Sequence, residues 1–69
     1  MNSEDLVKRF TYHAPKEGQP ALYQTIRDEA RQLADHIDSS QPDSREKSLA
    51  ITALEETVMW ANAGIARNS

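Results

Sequence analysis

The chain has 69 residues, is 38% hydrophobic, carries a formal net charge of -3 and has no cysteine. At this size one domain is expected, and its hydrophobic core alone leaves only marginal stability, with no disulfide or thiolate metal site to staple it. The negative balance argues against a nonspecific DNA or RNA coat, which rests on neutralising many phosphates. With a mean hydropathy of -0.76, no apolar run approaches the roughly 20 residues of a membrane span.

The opening MNSEDLVKRF carries acids first and lacks the basic-then-apolar order of a signal peptide, so a cytoplasmic protein is expected. Residues 3 to 10 can form a short helix, with Ser3 as N-cap and Glu4 and Asp5 favourably placed in its first turn. Prolines and glycine then hold Thr11 to Pro20 irregular. Pro20 suits the first position of a second helix over 20–38, because its missing N–H would be unpaired there anyway. Leu22, Ile26, Ala30, Leu33 and Ile37 give that helix one apolar stripe.

Ser39, Ser40, Gln41 and Pro42 read as a short connection, and Asp43 with Glu46 has the spacing of a capping box for a third helix within 42–67. This last helix has two apolar faces. Ile51, Leu54, Val58, Ala61 and Ile65 recur at alternating spacings of three and four, the seam of a coiled-coil-like partner contact. At about 100° per residue, Leu49, Ala53, Trp60 and Ala63 fall on the opposite side. One face can bind the rest of the chain, and the other calls for a second subunit. The expected fold class is therefore all-α: one domain over 1–69, with an N-terminal arm and loop (1–19) preceding an antiparallel two-helix hairpin that assembles as a homo-oligomer.

Catalysis finds little support. His13 and His36 are far apart in sequence, no serine sits in a nucleophile setting, and the adjacent Glu55 and Glu56 point in different directions on a helix. His36 and Asp38 share no helical face, so no metal site is expected there. Binding rather than turnover is the reading, with no catalytic residue and no cofactor.

FTYHAPK is the best candidate for a ligand contact, setting Tyr12, His13, a rigid proline and Lys16 in a non-helical stretch. Tyr12 offers a flat ring on which a base can stack. Equally, Tyr12 can join Phe10 in pinning the arm to the hairpin. Arg27 and Arg31 lie four apart and could present forked donors to phosphate. Arg31 has helical pairing distances to Asp28 and Asp35 and reads as a solvated face, whereas Arg27 has no acid at i+3 or i+4. In MWANAGIAR, small residues permit close backbone approach, so Trp60 reads as a subunit-interface anchor. Asn62 needs a partner if buried, from a backbone or a ligand. Arg67, near a helix C-terminus, is stabilised by the dipole without any further role.

FTYHAPK, YQTIRDEARQLA, PDSREKSLA and especially LEETVMWANAGIAR together resemble the small phage and prophage proteins of the hairpin-domain family that contains anti-CBASS and anti-Thoeris sponges. The resemblance covers nearly the whole chain and implies a non-enzymatic immune antagonist. It would assemble as a helical hexamer and sequester cyclic nucleotide messengers of bacterial defence, with cyclic dinucleotides held between subunits. Some members also hold cyclic trinucleotides at a separate site, and others take cyclic ADP-ribose-type signals. By this resemblance Tyr12 matches the aromatic residue that stacks on a base, Arg27 a basic position that meets phosphate, and Arg67 leads the candidates for a second site. Arg27 stands where relatives commonly carry lysine, which keeps the charge and changes the donor geometry. The alternative from residues alone is a helical protein-interaction or regulatory module, with an uncharacterised enzyme a distant third.

Overall fold

The computed structural model describes residues 2–68, so Met1 and Ser69, which fall within the domain expected over 1–69, lie outside it. It contains three helices and, among the described residues, no strand: α1 (Ser3–Phe10), α2 (Gln19–Ser40) and α3 (Arg45–Asn68).

The helix starts differ in detail from the sequence expectation. α1 is capped by Asn2, not Ser3: the Asp5 N–H donates to Asn2 Oδ1 at 2.9 Å. Ser3 already has helical geometry, and the amide oxygen one residue earlier reaches the third N–H of the helix. α2 begins at Gln19, with Pro20 in the second position, because Lys16 to Gln19 close a turn around Gly18. There the Gln19 N–H donates to the Lys16 carbonyl at 3.0 Å, and Gly18 sits at φ 83°, ψ -19°, the third position of a type II turn that glycine fills without steric cost. α3 is capped by Ser44 rather than by an Asp43–Glu46 box. The Lys47 N–H donates to Ser44 Oγ at 3.0 Å, which leaves the Asp43 carboxylate for the Lys47 ammonium. α2 also continues through Ser39 and Ser40, whose hydroxyls donate to the His36 and Ile37 carbonyls of the preceding turn, so the connection is confined to 41–44.

α2 and α3 make the one extensive helix–helix contact among the described residues. They run antiparallel, since Gln19 at the start of α2 meets Ile65 near the end of α3 and Asp38 near the end of α2 meets Lys47 in the first turn of α3. The α3 side of the contact is Ile51, Leu54, Val58, Ala61 and Ile65, all half-buried. On α2 the inward positions are Tyr23, Ile26, Ala30, Ala34 and Ile37, while Leu22 and Leu33, expected in the stripe, stay half exposed. At about 100° per residue those two leucines share one flank of the helix. The small side chains of Ala30 and Ala34 let α3 approach on the other flank.

No hydrophobic side chain among the described residues is buried; the two buried residues are Gln19 and Lys47, one at each end of the hairpin. The radius of gyration is 15.3 Å, against about 11 Å for a compact chain of this length. The smallest extent is 12 Å, about one helix diameter, so the fold is a single layer of helices. Leu49, Met59 and Trp60 accordingly face outward from α3, and Leu6, Val7 and Phe10 from α1. No helix among the described residues is long and apolar enough to cross a membrane.

Candidate functional site

The loop between α1 and α2 folds back on α1. Thr11 is extended, at φ -103° and ψ 136°, and His13 Nε2 donates to the Lys8 carbonyl at 2.9 Å. That bond satisfies a carbonyl in the last turn of α1, which has no partner inside the helix. The His13 ring is thus engaged in capping. Tyr12, the preceding residue, is 83% exposed, so its ring is not packed against the rest of the chain.

Lys16 enters the turn that starts α2, its N–H donating to Gln19 Oε1 at 2.9 Å. Gln19 Nε2 in turn donates to the Ile65 carbonyl at 3.3 Å, and the Tyr23 hydroxyl donates to Gln19 Oε1 at 3.4 Å. Loop, α2 and α3 therefore meet at one carboxamide.

Arg27 lies on α2 beside the seam, at the edge of an open groove of about 470 Å³ between the two long helices. Arg31, Ala34, Glu55, Met59 and Asn62 also line it. Arg31 is paired with Asp35 at 3.1 Å, both side chains well exposed, an arrangement worth at most about 1 kcal/mol. Asp28 accepts from Gln24 instead. Arg27 makes no ion pair among the described residues, in contrast to Arg31 four residues on. Asn62 Oδ1 is buried and has no hydrogen-bond donor among the described residues. An acceptor held so costs on the order of 1–3 kcal/mol until a donor reaches it.

Arg67 belongs to a separate concavity of about 320 Å³ shared with Arg9, Phe10 and Trp60. Here the end of α1 overhangs the end of α3, and two guanidiniums lie near two largely exposed aromatic rings. The Trp60 indole N–H donates to Glu56 Oε1 at 3.2 Å along its own helix. The single chain thus distributes the expected ligand residues: His13 lines a hollow beside Lys8, Arg27 the interhelical groove and Arg67 the overhang, while Tyr12 and Lys16 line none of the three. The grouping of Arg9 and Phe10 with Trp60 and Arg67 had no sequence signal, because it depends on how α1 folds back across the loop. No cluster among the described residues could hold a metal ion.

The described residues form a thin helical hairpin with exposed aromatic rings and one arginine, Arg27, that lines the interhelical groove and makes no ion pair among them. The chain belongs to the family described as "Acb2/Tad1, hairpin domain", which matches residues 2–66 and is the family of anti-CBASS and anti-Thoeris sponges. No curated protein and no solved structure matches the chain.

Proposed function

We propose that the chain is a sponge: a homo-oligomer, a hexamer by its family, that captures cyclic dinucleotides reversibly, without cleaving them, in the cytoplasm of an infected bacterium. The observation that carries this reading is the membership of residues 2–66 in the sponge family, joined to an exposed Tyr12 ring and an Arg27 guanidinium with no acidic partner among the described residues.

The chemistry supports it. A cyclic dinucleotide has two base faces and two phosphates. An aromatic ring stacks on any base, and arginine presents a fork of N–H donors that matches phosphate oxygens. Tyr12 and Arg27 lie in different parts of the single chain, and a two-fold interface would offer each of them twice, completing a pocket that neither copy holds alone. The unpaired Asn62 Oδ1 at the groove and the outward Leu49, Met59 and Trp60 favour a second copy or a ligand against this surface. His13, next to Tyr12, and Lys16, at the far end of the same loop, would set its position. A cyclic trinucleotide at a second site would draw on Arg67, beside Arg9, Phe10 and Trp60. The same bare apolar faces support the alternative, a protein-interaction module.

Calorimetry with cyclic di-AMP, cyclic GMP-AMP and a cyclic trinucleotide, followed by chromatography of the ligand released on denaturation, tests the proposal. Tight binding with intact ligand is expected. Altered ligand would make the protein an enzyme, and silence across the panel would leave the interaction module.

A further inference from the structure

Gln19 is 4% exposed, the most buried of the described residues, and nothing in the binding chemistry above uses it. Its carboxamide has only one workable orientation. The Lys16 N–H can only donate and lies 2.9 Å from Oε1; the Ile65 carbonyl can only accept and lies 3.3 Å from Nε2. Tyr23 occupies the other lone pair of Oε1, so the amide is engaged on both sides. Ile65 belongs to the last turn of α3, where carbonyls run out of partners within the helix. Lys16 is four residues after Tyr12, and Ile65 is two before Arg67.

We propose that Gln19 is a positioning residue of the nucleotide site, its carboxamide setting the register of the Tyr12 loop against the C-terminal end of α3. This rests on the sponge reading. The loop has no helical or strand framework of its own between Thr11 and Lys16, and Tyr12 is too exposed to be held by packing. A ring held ready before binding spares the ordering cost that a mobile loop adds to association. Gln19 touches no ligand in this scheme; it acts through Tyr12.

The test is a double-mutant cycle on the full chain with cyclic GMP-AMP as probe. Gln19→Met keeps the length and removes every polar contact of the side chain. Affinity should fall roughly three- to tenfold, the scale of one net hydrogen bond, with the oligomeric mass kept. In a Tyr12→Ala background the same substitution should cost nothing further, a result that general destabilisation would not produce. Backbone ¹⁵N relaxation should show faster motion at residues 12–16 in Gln19→Met while the amides of α2 and α3 stay rigid. If Gln19→Met fails to fold, Gln19→Asn replaces it, since an amide one methylene shorter cannot reach Lys16 and Ile65 together. Unchanged affinity and unchanged loop relaxation overturn the proposal, as do losses that add in full on Tyr12→Ala. A parent chain that does not bind the probe sinks the sponge reading instead, and the relaxation data then decide by themselves whether Gln19 orders the loop.

Discussion

Lys47 Nζ lies 2.8 Å from Asp38 Oδ1 across the turn between the long helices, and 2.9 Å from Asp43 Oδ1 within it. The same ammonium donates to the Gln41 carbonyl at 3.3 Å. One nearly buried cation thus joins the last turn of α2, the connection and the first turn of α3. Hydrogen bonds to Asp38 and Asp43 hold the Lys47 pKa above its ordinary 10.5, and the hydrogen bond from Lys47 holds the Asp43 carboxyl below its ordinary 3.8.

The linkage has two limbs. The Asp43 contribution is present above pH 3.8 and is lost as pH falls through its lowered folded value; the Lys47 contribution is present below pH 10.5 and is lost as pH rises through its raised one. Melting followed by circular dichroism should therefore show a plateau between these limits and a decline on either side. Lys47→Met should flatten both declines. A variant that follows the parent's pH curve would show that the cluster contributes nothing.

Gly18→Ala should destabilise the chain by about 1–2 kcal/mol, the cost of placing a Cβ in the left-handed region. A Cβ built at Gly18 meets nothing within 4 Å, so the penalty comes from the backbone alone, and Gly18→Asn should cost less. Denaturant unfolding checks this: the midpoint should move without a change in slope. An unchanged midpoint for Gly18→Ala would place φ outside the left-handed region.

Tyr12→Ala should weaken cyclic dinucleotide binding by about 1–3 kcal/mol, the usual worth of stacking one base on an aromatic ring, while Tyr12→Phe should bind nearly as the parent does. Arg27→Ala should weaken binding and reduce its dependence on salt. Arg31→Ala should do less, because Asp35 already holds that guanidinium. Isothermal calorimetry at two salt concentrations separates these cases, and equal losses at both arginines would contradict the assignment of Arg27 as the phosphate contact.

Light scattering of the parent should give the mass of several chains, and Trp60→Asp should lower it by burying a charge in an apolar interface. Trp60 is 64% exposed in the single chain, so the helical circular dichroism of the variant should persist. A single-chain mass for the parent would remove self-association from the proposal.

Helix existence and type were legible in the chain because they depend on local spacing. The alternation of three and four through Ile51, Leu54, Val58, Ala61 and Ile65 marks a helix-contact seam without saying which of the two apolar faces meets α2, and the structure turns this one to α2; the weak pairing expected for Arg31 is the Arg31–Asp35 contact observed. The helix ends were less legible: Asn2 and Ser44 compete with equally good capping residues one position away, and which oxygen wins depends on where the backbone turns. The α2 stripe departs from its spacing at Leu22 and Leu33, which stay half exposed, since the rotation of a helix about its own axis is decided by the partner it packs on.

By itself the sequence determined an all-helical chain, the two-sided character of its last helix and the aromatic and cationic residues available for binding, all properties of composition and period. Only the tertiary structure decided that Gln19 and Lys47 close the two ends of the hairpin, and that Arg67 joins Arg9, Phe10 and Trp60 while Arg27 lies in another groove. Contacts between residues as far apart as Gln19 and Ile65 have no local signature: nothing in the spacing of a glutamine records which carbonyl, 46 residues on, its amide will meet.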